Sequence, residues 1–277
     1  MMNGIRAKKQ YGQNFLTDDS IPKRIVRESG IQKSGGVIEI GPGLGILTKQ
    51  LSAAAGKVVA VEIDHELIPV LNEKFRDFEN VTVMEADIMK TDIGKLIDEE
   101  LSGMEVDVVA NLPYYITSPI IWKLVESIHR IRCITLMVQK EVAERLTSKA
   151  GTAEYGAMTV SLSYYAEVRK LFPVSAGHFS PRPKVDSAVI SICPHAAPPV
   201  QVMDEEMLLA CIRNAFQLRR KTLANGLSSG FGMSKQEVLD AIVRCGFRPD
   251  VRGEDLSLPD FAAIADELCK ARERIES

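Results

Sequence analysis

The chain has 277 residues, 45% of them apolar and 26% charged, with 34 Lys+Arg against 37 Asp+Glu and a formal net charge of -3. That length fits one large domain plus a smaller one, and the slight acidity excludes a wholly basic nucleic-acid-binding domain. No apolar run reaches 18 residues and no apolar segment follows the N-terminal charges, so neither a membrane span nor a signal peptide is expected; the expected location is the cytoplasm.

Residues 1–17 carry Arg6, Lys8 and Lys9 with no acid, followed by Tyr11-Gly12-Gln13-Asn14-Phe15-Leu16. A basic arm with aromatics suits a nucleic-acid contact, and it equally suits a solvated chain start. Asp18, Asp19 and Ser20 cap a helix over 21–29, whose Ile21, Ile25 and Val26 recur at helical spacing. The chain is then organised around Val37-Ile38-Glu39-Ile40-Gly41-Pro42-Gly43-Leu44-Gly45. An apolar run ends in three glycines and a helix-compatible stretch over 44–51. This is a strand, a tight turn, and a helix whose free N–H groups face a ligand that glycine allows to come close.

Regular alternation follows. Strands are expected over 57–63, 81–85, 106–110 and 131–138, and helices over 66–75, 92–98, 118–128 and 140–146. Short apolar strands between helices mean parallel pairing in a doubly wound α/β sheet. Residues 155–165 fit either helix or strand, and 168–174 and 185–192 suggest two late strands. Pro194, Pro198 and Pro199 mark a linker over 193–203. Beyond it only helices are expected, near 204–217, 220–228, 235–244 and 260–273. The expected domains are therefore 1–192 and a helical 204–277. Cys133, Cys193, Cys211, Cys245 and Cys269 form no C-x-x-C pair; reduced thiols and no metal site are expected.

In a doubly wound sheet, ligands sit beyond the carboxyl ends of the strands. Glu62, 17 residues after Gly45, is placed to accept both ribose hydroxyls of a nucleoside-like cofactor. Asp87 is placed to accept from an adenine amine. G-P-G-L-G is not the dinucleotide pattern G-x-G-x-x-G, which counts against NAD. Asn111-Leu112-Pro113-Tyr114 is the most informative stretch. The Asn111 amide oxygen and the carbonyl before Pro113 are two acceptors, and Tyr114 is a flat stacking face. Together they suit an exocyclic amine on an aromatic ring, turned so that its lone pair faces a methyl donor. A strand followed by a proline turn, with tyrosines as packing, is the plainer alternative.

The chain resembles the ribosomal RNA adenine N6-dimethyltransferase family, on Gln13-Asn14-Phe15-Leu16, Glu39 to Gly45, Val61-Glu62-Ile63-Asp64, Glu85-Ala86-Asp87, Asn111 to Tyr115 and Phe179-Ser180-Pro181-Arg182-Pro183-Lys184-Val185-Asp186-Ser187. The resemblance implies a Rossmann-like S-adenosylmethionine methyltransferase fold with a smaller helical C-terminal domain. It implies that Asn14 and Leu16 close over the cofactor and that Gly41 and Gly43 lie against it. Glu62 then holds the ribose and Asp87 the adenine amine. Asn111 serves cofactor and target, while Tyr114 and Phe179 sandwich a flipped adenine. The implied substrate is a pair of adjacent adenosines in the 3′-terminal hairpin loop of 16S rRNA, dimethylated during late small-subunit assembly. The implied enzyme acts as a monomer. A large-subunit rRNA methyltransferase of macrolide-resistance type and a mainly non-catalytic assembly factor are the alternatives.

The last 74 residues contain 11 Lys+Arg against 13 Asp+Glu, yet Cys211 to Ser229 holds Arg213, Arg219, Arg220 and Lys221 with no acid. One continuous helix brings Arg213, Arg220 and Lys221 to one face. With Arg6, Lys8 and Lys9 they are the candidate contacts to rRNA phosphates; a solvated helix face is the alternative.

Overall fold

A computed structural model describes residues 7–8, 12–217 and 221–276. The chain divides into two compact units, Met1–Ala143 with Val168–Pro194, and Glu144–Glu167 with His195–Ser277.

In the first unit the strands are β1 (Phe15–Leu16), β2 (Gly36–Ile40), β3 (Lys57–Glu62), β4 (Val81–Glu85), β5 (Val106–Asn111), β6 (Cys133–Gln139), β7 (Ala166–Val174), β8 (Phe179–Ser180) and β9 (Ser187–Pro194). Helices α1 (Ser20–Ser29), α2 (Ile46–Ala54), α3 (Ile68–Lys74), α4 (Ile93–Glu100) and α5 (Thr117–Val125) alternate with the early strands. Seven strands form one sheet in the order β4-β3-β2-β5-β6-β9-β7. The central β2 pairs in parallel with both β3 and β5. Val37, Ile38, Val58, Val59, Val108 and Val109 are fully buried, as the near-continuous apolar strands of a sheet covered on both faces must be. The register sets Ile40 opposite Val61 on one side and Ala110 on the other. The carboxyl ends of the three strands therefore finish level. Since β3 and β5 flank β2, the strand order reverses there, which opens the crevice in which such sheets bind ligands.

The expected parallel α/β alternation is present, and the late part of the sheet differs from it. Strand β9 runs antiparallel to β6. That pairing faces Cys133 with Cys193, whose Cα atoms lie 4.3 Å apart and whose sulfurs are bonded. The expectation of reduced thiols is corrected for this pair, because 60 residues of sequence conceal a direct cross-strand neighbour. The arm and the proline-rich loop also meet: β1 pairs with β8, Phe15 opposite Ser180 and Leu16 opposite Phe179. Two residues are too few to show a strand period.

The second unit holds α6 (Lys140–Leu146, begun in the first unit), α7 (Ala157–Tyr165), α8 (Glu205–Gln217), α9 (Leu223–Phe231), α10 (Lys235–Arg244) and α11 (Leu258–Glu276). The ambiguous 155–165 stretch is mainly helix α7. Thr159, Val160, Ser161, Leu162 and Tyr164 are all buried, so no exposed face reveals the helical period. Tyr155, Val160 and Tyr164 pack in one apolar cluster with Leu208, Leu227, Ile242 and Phe261. The Tyr155 hydroxyl donates to the Leu256 carbonyl at 2.9 Å. Segment 144–167 thus belongs with the C-terminal helices, although the sequence placed it in the first domain. The chain crosses between units twice more than the single proline-rich linker suggests, with no compositional break at those crossings.

Arg213 and Lys221 do not share a continuous helix. Lys221, the first residue described after Gln217 of α8, is not helical, and Thr222 precedes α9 with extended backbone. The two helices approach so closely that a Cβ on Gly226 would lie 2.7 Å from the Asn214 carbonyl oxygen. A helix-favouring Ala gains about 1 kcal/mol over Gly, and overpacking against fixed backbone costs about 1–3 kcal/mol. Gly226→Ala should therefore lower the stability of the helical unit in urea melts despite its better propensity. An equal or raised midpoint would show that α8 and α9 can separate freely.

Candidate active site

The turn after β2 uses its glycines differently. Gly41 takes φ +68°, and a Cβ there would meet no atom within 4 Å, because it borders open cavity. Gly43 takes φ +56°, and its Cβ would press on the Phe15 ring at 3.1 Å. One glycine admits a ligand; the other admits the N-terminal arm. Gly45, the residue before α2, would collide with Phe75 at 2.6 Å, so its lack of a side chain seats α2 against α3.

Around this turn lies a cavity of about 1080 Å³ counted out to its open mouth. It is lined by Asn14, Phe15 and Leu16 from the arm, Gly41 and Gly43 from the turn, Glu62 and Ile63 at the end of β3, Asp87 and Ile88 after β4, and the stretch from Asn111, the last residue of β5, to Ile116. Eight residues singled out from sequence thus share one wall: Asn14, Leu16, Gly41, Gly43, Glu62, Asp87, Asn111 and Tyr114. Phe179 is not among them. It is 4% exposed and packs with Leu16, Met137 and Val189, so in this conformation it backs the arm instead of offering a ring face.

The Glu62 carboxylate is buried and braced by main chain. Its Oε1 accepts from Ile63 N at 3.0 Å and Asp64 N at 2.9 Å, and its Oε2 accepts from Gly43 N at 3.1 Å. Burial pushes its pKa up, and these three N–H groups oppose the shift. A carboxylate has roughly four acceptor positions. One remains on Oε2, so a second ligand hydroxyl has to compete with the Gly43 amide. Asp87 Oδ1 accepts from Met89 N at 3.0 Å, which fixes the carboxylate at its strand end.

Asn111 closes β5 and donates from Nδ2 to the Asn14 carbonyl at 3.3 Å. Among the described residues nothing donates to its Oδ1. The next turn is fixed by Ile116 N donating to the Pro113 carbonyl at 3.2 Å. Tyr114 is half-buried, and its hydroxyl lies 2.8 Å from Ser187 Oγ at the start of β9. That bond fixes the direction of the ring's long axis, a feature the sequence did not signal. Tyr115, 62% exposed, lines the mouth and packs over Gly12.

Asn111, with its Oδ1 free of donors among the described residues, and the Tyr114 ring, anchored through its hydroxyl, border one cavity at a strand-order reversal. Residues 4–269 match the family profile for ribosomal RNA adenine dimethylase. The chain belongs to the ribosomal RNA adenine dimethylase family. It is 42% identical over 269 residues to ribosomal RNA small subunit methyltransferase A of Lysinibacillus sphaericus, covering 96% of this chain and 92% of that one. Identity to the Bacillus mycoides protein of the same description is 45% over 270 residues, with the same coverage. A dimethyladenosine transferase of Plasmodium falciparum superposes with a TM-score of 0.79 at 26% identity, covering 93% of this chain and 98% of that one. The 23S rRNA methyltransferase ErmE superposes with a TM-score of 0.71 at 25% identity, covering 92% and 100%. The Rossmann-like core with helical C-terminal unit is the fold of this dimethylase family.

The expected RNA contacts fare unevenly. Arg6, Lys9, Arg219 and Arg220 lie outside the described residues. Arg213 and Lys221 are exposed. Lys8 is paired within the chain: its ammonium lies 2.7 Å from Asp64 Oδ1 and 3.0 Å from Glu66 Oε1, so two carboxylates share its charge. Asp64 and Gln13 were legible only as members of motifs; their pairing was hidden by 51 residues of sequence.

Glu39 lies in the cavity wall, 1% exposed, and its Oε2 has no hydrogen-bond partner among the described residues. Burial pushes its pKa up to about 8, so it is largely protonated at neutral pH. A carboxyl raised in the folded state contributes stability that is complete below the unfolded value of about 4.3 and is lost as pH rises through the folded value. Thermal midpoints recorded from about pH 5 to pH 9, spanning that loss, should fall less for Glu39→Gln than for the wild type. Parallel curves would show that Glu39 ionises without penalty.

Proposed function

We propose that this chain transfers methyl groups from S-adenosylmethionine to the exocyclic N6 of two adjacent adenosines in the 3′-terminal hairpin loop of 16S rRNA, during late small-subunit assembly. The observation that carries the reading is that Asn111-Leu112-Pro113-Tyr114 opens onto the same cavity as the Gly41–Gly43 turn and Glu62. The 42–45% identity to small-subunit methyltransferases, against 25% to ErmE, supports the small-subunit target. The proposal includes a cytoplasmic location, action as a monomer, and rRNA contacts through the helical unit.

The cavity fits the cofactor. Gly41 leaves space where any side chain would intrude, Glu62 keeps one acceptor position for a ribose hydroxyl, and Asp87 offers a carboxylate to an adenine amine. When bound, S-adenosylmethionine supplies an electrophilic methyl group. Asn14 and Leu16 cover it from the arm. The target adenine leaves its stack at a cost of a few kcal/mol, less in an unpaired loop, and lies on the Tyr114 ring. Asn111 Oδ1 and the Leu112 carbonyl accept the two N6 hydrogens before the first transfer, and one of them accepts the hydrogen that remains before the second, which turns the nitrogen lone pair toward the methyl donor. As positive charge develops on nitrogen these preorganised acceptors strengthen. No base is needed before attack, because the proton leaves afterwards.

Undermethylated small subunits and large-subunit RNA should be offered side by side, with the modified base mapped. Label in two adjacent 16S adenosines is expected; label in large-subunit RNA overturns the target. Asn111→Ala should slow single-turnover methylation by about 10²-fold with RNA affinity retained. Tyr114→Ala should lose about 1–3 kcal/mol of stacking, and Tyr114→Phe, which loses only the Ser187 anchor, about 1 kcal/mol. A near-wild-type rate for Asn111→Ala removes it from the chemistry.

Arg213 and Lys221 are proposed to bind rRNA phosphates. Replacing both by Glu should flatten the salt dependence of small-subunit binding, the slope falling by roughly 0.7–0.9 for each phosphate no longer neutralised. An unchanged slope moves RNA binding to other residues.

A further inference from the structure

The N-terminal arm crosses the cavity as a strap with two fastenings. One is main chain: β1 pairs with β8, and Thr17 N donates to the His178 carbonyl at 3.0 Å. The other gathers on a buried carboxylate, with the exposed Glu66 as a second partner of Lys8, its Oε1 3.0 Å from Nζ. Asp64, 1% exposed, accepts from Lys8 Nζ at 2.7 Å on Oδ1 and from Gln13 Nε2 at 3.0 Å on Oδ2. The two donors are joined in turn, since Lys8 N donates to Gln13 Oε1 at 2.9 Å. Between the fastenings lie Gly12, beneath the Tyr115 ring, and Asn14, whose carbonyl receives the Asn111 amide.

Asp64 is also tied to the cofactor acid. Its backbone N–H donates to Glu62 Oε1 at 2.9 Å, so one residue holds the ribose-facing carboxylate with its main chain and the strap with its side chain. Burial pushes the Asp64 pKa up, but the bonds from Lys8 and Gln13 outweigh it and hold the group below its ordinary value. The carboxylate is thus committed to its charged form. Asp64 Oδ1 further accepts from Glu66 N at 3.2 Å, a local turn that an amide side chain can reproduce.

We infer that Asp64 is a positioning residue, the latch that keeps the strap closed over the cavity and so sets the affinity for the nucleoside cofactor. This rests on the methyltransferase reading above. The latch does not touch the reacting atoms. It acts by raising the fraction of molecules whose strap is closed, and apparent affinity scales with that fraction. Lys8 is therefore part of the cofactor site's closure.

The test uses the full chain and three variants. Asp64→Asn keeps the turn and removes the charge; Lys8→Met removes the partner from the arm without touching the core; Lys8→Arg keeps the charge. Hydrogen exchange of residues 12–17 in the cofactor-free protein should accelerate in Asp64→Asn and Lys8→Met and stay near wild type in Lys8→Arg. Calorimetry with S-adenosylhomocysteine should show Kd raised about ten-fold in the first two, with the double variant no weaker than either single one. KM for S-adenosylmethionine should rise in parallel while kcat at saturating cofactor stays within about two-fold. Lys95→Met, which removes one positive charge elsewhere on the surface, should change none of these. Unchanged exchange and Kd in Lys8→Met would overturn the latch. A fall in kcat with KM unchanged would overturn it too, by moving Asp64 from closure to chemistry. Wild-type protein that binds no cofactor would instead overturn the underlying reading, and the exchange data would still decide whether Asp64 holds the strap.

Discussion

Everything at the candidate site depends on the parallel pairing of β2 with both β3 and β5. Backbone hydrogen bonds on the two sides of one strand hold its register against both neighbours at once. Three strand ends therefore stop at one level. Gly41, Glu62 and Asn111, separated by 70 residues of sequence, come to border a single cavity. The glycine turn contributes only after this alignment exists, since its positive φ directs the chain away from the space that the strand ends define.

Three carboxyl groups gather at and beside the cavity, and their surroundings give each a different character. Glu39, with no donor to Oε2 among the described residues, is driven toward its neutral form by burial. Glu62 is also pushed up by burial, and three backbone N–H groups oppose that shift. Asp64 is held charged by an ammonium and an amide from the arm. Three like charges in one buried space would repel strongly at low dielectric. Neutralising one, dispersing the second over main-chain donors and pairing the third resolves the conflict with groups the chain itself supplies.

The helical unit obeys a simpler rule. Its core is apolar, with Leu208, Leu227, Ile242, Phe261 and Leu268 fully buried, and its charges stand outside it. An acidic balance over this region is compatible with local basic positions such as Arg213 and Lys221, because a chain's net charge says nothing about which face carries which sign.

Sequence alone determined the elements, their alternation, the parallel core and the residues at its strand ends, because each of these is encoded within a few neighbouring positions: an apolar run, a glycine turn, an acid or amide where the run stops. The motif spacing also sufficed to recognise the dimethylase family. Tertiary structure alone decided what lies opposite what. It bonded Cys133 to Cys193 through an antiparallel strand pair, folded Phe179 under the arm, and paired Lys8 with Asp64. It also joined segment 144–167 to the helices beyond residue 194. The physical reason is common to all four. Such contacts arise when the chain closes loops of tens of residues, and the energy that selects them belongs to the packed pair and leaves no period or composition signal in either partner's own stretch of sequence.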